Sequence, residues 1–240
     1  MNKRYVPILL LGLASAFAGR ACAADLDIED RSLIIPNVRI ASDIVGTSPV
    51  PSVPRSSHAI EFGVSAARGS DTQHLGPSQS AINIGGQTFA PTQDVRSEFD
   101  FRLFELAYRF REVFRGPGIG VEALVGLGYA QLGLTATGAT QRATERLNSG
   151  GFLFGVGGLW RITPNSSLQV RGTGFVLGGR DDVTNAYHFD LQFARTLGSH
   201  AAVRAGYSVW EVRSDRESGS VSSPIRLRFS GPMLGLDLMF

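Results

Sequence analysis

The final ten residues, 231–240, constrain the fold more than any other stretch of the chain. Apolar residues occupy every second position of this segment, namely Leu234, Leu236, Leu238 and Phe240. Gly235, Asp237 and Met239 lie between them. A period of two places alternate side chains on opposite faces of a β-strand. The segment is therefore predicted to be a β-strand with one apolar face.

The first 23 residues are predicted to be a cleaved signal peptide. Lys3 and Arg4 precede an apolar run that is too short for a transmembrane helix, and Ala21-Cys22-Ala23 fits an A-x-A cleavage site. A lipoprotein anchor at Cys22 is the alternative, although Arg20 is unusual in such a signal. Cleavage removes the single cysteine, three of the 23 basic residues and none of the 21 acidic ones. The remaining formal charge of −1 gives no reason to expect a nucleic-acid partner.

Residues 24–57 differ in composition from the rest of the chain. They begin with acidic residues, contain the short apolar run Leu33-Ile34-Ile35, and then become rich in proline and serine. This composition predicts a flexible periplasmic leader. The alternative is an arm that docks on the barrel mouth or on a partner through residues 33–40.

From residue 58 onward, the alternation of apolar residues with glycine, small or charged residues predicts eight strands. They cover residues 58–67, 95–112, 119–134, 151–162, 167–177, 186–197, 201–212 and 225–240. Changes of phase near Leu103 and at Pro232 are expected to mark β-bulges. Three connections are tight (115–118, 163–166 and 197–200), and the others are generally longer (68–94, 135–150, 178–185 and 213–224). Outer-membrane barrels show this contrast between short periplasmic turns and longer extracellular loops.

The predicted fold is all-β, with residues 58–240 forming an eight-stranded antiparallel up-and-down transmembrane β-barrel. No stretch after the signal peptide has the ~18 uncharged apolar residues of a membrane-spanning helix, so a closed barrel is the available way to span. Both ends of the barrel are expected on the periplasmic side. The last strand is expected to pair with the strand at 58–67.

A charged network is predicted inside the barrel, because the phase of each strand turns its charged residues away from the apolar face. The inward set is Glu61, Glu105, Arg109, Glu122, Arg171, Asp190, Arg204 and Asp237. An eight-stranded barrel is narrow enough for side chains to fill it. Charges in such a space must pair or be hydrated. The network is therefore expected to be either a structural plug or the lining of a narrow hydrophilic path.

The C-terminal segment resembles the assembly signal of bacterial outer-membrane barrels, in which a glycine and a penultimate hydrophobe precede a terminal aromatic residue. Gly235, Leu238 and Phe240 match that motif, whereas Met233 stands where the motif has a polar residue. In its strand pattern and in this C-terminal motif, the chain resembles small outer-membrane proteins of the OmpA/OmpX type. The resemblance implies location in the outer membrane of a Gram-negative cell. It also implies contact with membrane lipids and the barrel-assembly machinery, and a structural or surface-interaction role without catalysis or a cofactor.

The most plausible catalytic group in the sequence is His188, which shares a strand face with Asp190 and could form an oriented general base. The pattern resembles the His-x-Ser arrangement of lipid A deacylase-type barrels, but Asp190 stands here at the position of the serine. Ser65 and Ser208 are the candidate inward nucleophiles. The remaining histidines have no metal-ligand spacing. An enzyme acting on lipid A and a narrow channel are therefore alternatives to a surface-interaction role, in which the first loop (68–94) would contact an extracellular or periplasmic protein partner.

Overall fold

The computed structural model describes residues 26–31, 33–45, 56–77, 81–114, 118–178, 182–198, 200–216 and 225–239. The signal peptide and Phe240 lie outside this part of the chain. Within it, no helix is long and apolar enough to cross a membrane. The secondary structure consists of twelve strands: β1 (Leu26–Asp30), β2 (Ile35–Val45), β3 (Ser56–His74), β4 (Ile82–Ile84), β5 (Gln87–Phe89), β6 (Asp94–Val113), β7 (Ile119–Thr137), β8 (Arg142–Thr163), β9 (Ser166–Gly178), β10 (Asp182–Thr196), β11 (Ala201–Arg216) and β12 (Ile225–Met239).

The strands form a closed barrel with nine wall positions, rather than the eight predicted. From β3 through β6 to β12 each strand pairs antiparallel with the next. β12 then pairs in parallel with β1 and β2, which follow each other along its length, and β2 pairs antiparallel with β3. The segment expected to be a leader therefore supplies the ninth wall strand. The expected pairing of the last strand with residues 58–67 is wrong, because β2 lies between them.

The parallel closure places the two ends of the described chain at opposite ends of the barrel. We call the end with the β6–β7, β8–β9 and β10–β11 connections the turn end, and the opposite end the loop end. Leu26 pairs with Ile225 at the loop end, whereas β12 finishes at the turn end. His58 and Met239, at the two ends of the predicted barrel, lie together at the turn end, and the ninth strand places Leu26 at the opposite end. An odd number of strands reverses the direction of the first one.

The join between β1 and β2 explains the position of Pro232. The Cα pairing of β12 with β11 continues through Pro232 without a register shift, so the expected bulge is absent there. Pairing with the opposite neighbour stops at Phe229 and resumes at Met233. Proline cannot donate a ladder hydrogen bond, so it is tolerated where the adjacent ladder is interrupted. A Cβ on Gly231 would lie 1.8 Å from the Leu33 carbonyl oxygen, so only glycine fits beside the interruption.

The strands near the loop end are longer than the sequence pattern indicates. β3 continues to His74, and β7 and β8 extend through most of the predicted 135–150 loop, leaving only residues 138–141 between them. The pairing of β7 with β8 is continuous from Ile119–Trp160 to Thr137–Arg142. Much of the sequence predicted as loop is therefore a continuation of the barrel wall.

A small hairpin formed by β4 and β5 closes the loop end. Its turn residues Gly85 and Gly86 both have positive φ, as a two-residue primed turn requires. The apolar side chains around it are at most 1% exposed: Leu75, Ile82, Ile84 and Phe89. The Gly85 amide donates to Glu145 and the Gln141 side chain donates to the Thr88 carbonyl, fixing the hairpin to β8 and the β7–β8 turn. The first loop therefore contributes part of the core.

The apolar residues change face along the strands without a bulge. On β6, the inward side chains Phe99, Phe101 and Leu103 are buried, and inward Glu105 follows them in unbroken alternation. The exposed apolar side chain Leu106 begins the outward apolar face at this height. Pairing of β6 with both neighbours shows no register shift, so the bulge expected near Leu103 is absent. The barrel interior instead changes from apolar at the loop end to charged at the turn end.

Aromatic rings form the layer between these two parts of the interior. The five rings are those of Phe99, Phe101, Phe175, Trp210 and Phe229, and neighbouring centroids are 5.4–6.3 Å apart. Such separations are typical of favourable aromatic pairs. From the loop end to the turn end, the interior therefore contains the hairpin, the aromatic layer and the charged network.

Candidate functional site inside the barrel

The centre of the charged network is Arg171 on β9, whose side chain is 3% exposed. Its Nη1 lies 2.6 Å from Oε1 of Glu61 on β3, and its Nε lies 2.7 Å from Oε1 of Glu122 on β7. Arg109 reaches the second oxygen of Glu61 at 2.8 Å, and Arg111 reaches the second oxygen of Glu122 at 2.8 Å. Each carboxylate therefore receives charged hydrogen bonds from two arginines, which are stronger than bonds between neutral groups.

Glycines make room for this network because the barrel is narrow. A Cβ on Gly157 would lie 2.8 Å from the side chain of Glu122. A Cβ on Gly63 would lie 2.7 Å from Oε2 of Glu105. The glycines that alternate with outward apolar residues on β3 and β8 thus provide space for ionic side chains from neighbouring strands.

A second group surrounds His188 on β10. Its Nε2 lies 2.7 Å from Asp190 Oδ1 and 3.0 Å from Ser208 Oγ, while its Nδ1 lies 3.3 Å from Thr173 Oγ1. The imidazole stacks on the indole of Trp210 with a centroid separation of 3.8 Å. The Trp210 Nε1–H donates to Ser208 Oγ at 3.0 Å. His188 therefore connects the charged network to the aromatic layer.

Arg39 on β2 links the two groups. Its Nη2 lies 3.3 Å from Asp190 Oδ2, and its Nε lies 3.6 Å from Glu61 Oε1. Nearer the turn end, Arg204 donates to Asp237 and Gln192 at 2.8 Å and also to Asn37. Arg39 and Asn37 come from the segment that was expected to be a leader, so the ninth strand completes the network.

All eight inward residues proposed from the sequence lie in this interior, seven of them in ion pairs. The eighth, Glu105, lines a small cavity with Arg39 and His188. Sequence reasoning missed Arg39 and Arg111, which bring the described network to five arginines and five carboxylates. Arg39 could have been found, because Asn37 and Arg39 alternate with the exposed apolar residues Val38 and Ile40 as in the other wall strands.

The geometry of His188 does not suit nucleophilic catalysis. A triad requires the nucleophile and the carboxylate on opposite ring nitrogens of the histidine, whereas Asp190 and Ser208 share Nε2. The three residues are also at most 6% exposed, and the Trp210 ring covers the imidazole. Ser65, the other proposed nucleophile, instead receives a hydrogen bond from Asn37. The arrangement is that of a buried polar network with its hydrogen bonds largely satisfied.

The remaining histidines lie apart from this group. His58 hydrogen-bonds Tyr108 near the turn end, and His74 pairs with Asp94 at 2.8 Å at the loop end. Within the described ranges, no group of three or more His, Cys, Asp or Glu side chains is arranged to hold a metal ion.

Comparison with known proteins gave no match to a protein-family model, a curated protein or a solved structure.

Proposed function

We propose that the protein is an outer-membrane β-barrel with a structural and surface-interaction role, in which its interior serves stability. The observation that carries this proposal is the inversion of polarity across the wall near the turn end. Ion pairs occupy the interior there, while large apolar side chains face outward with exposures of about 40–70% on all nine wall positions. A barrel in water would have the opposite arrangement, because burial of apolar surface drives folding there.

The height of the outward apolar band agrees with this proposal. On β7 the band runs from Ile119 to Tyr129, after which Gln131 and Thr135 face outward. Ten residue steps of about 3.3 Å, tilted by about 40°, span about 25 Å, the usual height of the lipid-facing band. Trp160 near one margin, and Tyr129 and Tyr187 near the other, are exposed as interfacial aromatic residues are.

The loop end supports a surface role. Above the band, β6, β7 and β8 continue outward with polar residues, and the hairpin exposes Gln87 and Thr88 on its outer side. The part of the first loop proposed for partner contact is therefore this outer side. Its apolar side belongs to the core, so deletion of the whole loop is expected to impair folding.

The two alternatives have less support. An enzyme acting on lipid A would need an accessible nucleophile, whereas Ser208 and His188 lie beneath Trp210. A channel would need a continuous water path, whereas the cavity beside the ion network has a volume of about 10 Å³. That volume holds about one water molecule. Discrete conductance steps in planar-bilayer recordings would support the channel hypothesis.

The two tryptophans provide a direct test. Trp160 is 54% exposed on the outer wall, and Trp210 is 1% exposed inside. Two variants, Trp210→Phe and Trp160→Phe, leave one tryptophan each. After refolding into vesicles of brominated phosphatidylcholine, we expect strong fluorescence quenching of Trp160 and weak quenching of Trp210, because bromine quenches at short range.

Two results would contradict the proposal. One is equal, weak quenching of both tryptophans. The other is recovery of the protein in the soluble periplasmic fraction without a heat-dependent shift in gel mobility.

A further inference from the structure

A polar cleft of about 570 Å³ lies on the outer face of β6, β7 and β8, above the apolar band. The strand pairing arranges its outward residues in three rows across the strands. From the band upward, the rows are Arg102, Gln131 and Asn148; Asp100, Gly133 and Arg146; and Glu98, Thr135 and Thr144. The cleft is large enough for a small-molecule head group.

Gly133 forms the floor at the centre of this grid. A Cβ at this position would find no atom closer than 3.8 Å, so no neighbouring side chain fills the space above it. The depth of the cleft therefore comes from the missing side chain of Gly133, and a larger residue could occupy it without a backbone clash.

The charges of the cleft leave one cation available. Asp100 is paired with Arg68 at 2.8 Å and with Arg102 at 3.3 Å, and Glu98 is paired with Arg96 at 3.3 Å. Arg146 lines the cleft, and no ion pair of its guanidinium is found within the described residues. A guanidinium is well suited to bind a phosphate through two hydrogen bonds.

The other side chains suit a head group rich in hydroxyls. Gln131, Asn148, Thr135 and Thr144 offer amide and hydroxyl groups, and the carboxylates of Glu98 and Asp100 accept hydrogen bonds from hydroxyls. The same carboxylates repel any anion, and the several hydroxyls of a sugar add hydrogen bonds that offset this repulsion. The cleft therefore favours a phosphorylated sugar over inorganic phosphate.

An apolar surface begins directly below the cleft. The next rows are Phe104, Tyr129 and Gly150, then Leu106, Leu127 and Phe152. The three residues Leu106, Leu127 and Phe152 are 51%, 55% and 71% exposed. A molecule whose polar head fills the cleft would lay its hydrocarbon chains along this surface.

We propose that the cleft around Gly133 binds a phosphorylated glycolipid, with its phosphate on Arg146, its sugar hydroxyls on the surrounding polar side chains, and its acyl chains on the wall below. The position of the acyl chains rests on the proposed membrane location. Recognition of the sugar phosphate does not.

Binding can be measured with the full chain in detergent micelles, using native mass spectrometry. The probes are lipid A, dephosphorylated lipid A and phosphatidylglycerol, with glucosamine 1-phosphate as a soluble head group. Gly133→Leu fills the floor, and Arg146→Gln removes the cation. Gly158→Leu is the matched control, because no atom lies within 4 Å of a Cβ there and it lies outside the cleft. Arg142→Gln is the control for loss of an outward arginine on the same strand.

We expect lipid A to bind at least tenfold more tightly than phosphatidylglycerol or dephosphorylated lipid A, since a paired phosphate adds charge-assisted hydrogen bonds. Gly133→Leu and Arg146→Gln should each weaken lipid A binding about tenfold or more, and the two controls should bind as the wild type does.

Equal binding of the three lipids, or unchanged binding by both cleft variants, would overturn the proposal. If Trp160 is quenched by brominated lipid while the cleft variants bind normally, the cleft proposal fails and the membrane barrel stands. If glucosamine 1-phosphate binds in a manner sensitive to Arg146 but Trp160 is not quenched, the membrane proposal fails, and with it the glycolipid assignment.

Discussion

Replacing Arg171 with methionine should destabilise the barrel strongly, because the change removes the shared partner of two buried carboxylates. Glu61 and Glu122 each contact Arg171 within 2.7 Å, and all three side chains are at most 4% exposed. Removing one member of a buried ion pair costs about 3–5 kcal/mol. We expect the lower end of that range, since Glu61 keeps Arg109 and Glu122 keeps Arg111.

A double variant separates the effect of charge from that of packing. Combining Arg171→Met with Glu122→Gln restores equal numbers of arginines and carboxylates in the network. The two changes should therefore be less destabilising together than the sum of their separate costs, by about 2 kcal/mol. Arg68→Met is the control, because Arg68 is 72% exposed in its pair with Asp100. Its expected cost is below about 1 kcal/mol.

The assay is equilibrium unfolding by urea of protein refolded into lipid vesicles, followed by tryptophan fluorescence and by the heat-dependent shift in gel mobility. The reasoning would be refuted by either of two results. In one, Arg171→Met costs no more than Arg68→Met. In the other, the double variant is additive to within about 0.5 kcal/mol.

Three further predictions concern the wall and its closure. Ile84→Asn should destabilise the barrel by about 2–4 kcal/mol, since it places an amide in the core beneath the hairpin; an unchanged urea midpoint would contradict this. Gly231→Val should release β1, because its side chain collides with the Leu33 carbonyl. Faster tryptic cleavage after Arg31 would report that release, and wild-type protection would argue against it. An epitope tag inserted before Leu26 should bind antibody on intact cells if the loop end faces outward, whereas a signal seen only after lysis would reverse the orientation.

The period-two alternation identified most of the wall because it depends on strand geometry alone. Each of the eight predicted segments overlaps a wall strand, and Glu61 and Arg204, placed inward by the alternation, are buried. Alternation cannot reveal partners, so the sequence did not indicate that Arg171 joins Glu61 to Glu122. These contacts depend on the closure of the barrel.

The ninth strand was missed because its sequence is unusual for a wall strand. Asp27 and Glu29 of β1 face outward above the apolar band, where acidic residues are solvated. They therefore resembled a disordered acidic leader. The interruption between β1 and β2 also shortens the alternating pattern on each side. Pairing with β12 stabilises the five-residue β1, which would be marginal alone, and β2 pairs with both β12 and β3.

The two bulges were predicted wrongly because apolar residues were assumed to mark a single face. Along β6 and β12 the apolar residues change from inward to outward while the backbone alternation continues. The change occurs between Leu103 and Leu106 on β6, and between Phe229 and Leu234 on β12. An apolar interior with a polar outer wall and a charged interior with an apolar outer wall place apolar residues on opposite faces, so a strand that passes from one part of the barrel to the other must switch.

This switch also explains why the ions and the aromatic layer occupy different heights. Where the outer wall is apolar, the interior contains ion pairs that fix the strands through directional bonds. Where the outer wall is polar, the interior needs an apolar core as a soluble barrel does, and the aromatic rings and the hairpin provide it. The cleft around Gly133 lies at the height where the outer wall changes from apolar to polar. Its upper rows are therefore polar while the rows below expose apolar side chains, which is the surface that an amphiphile requires.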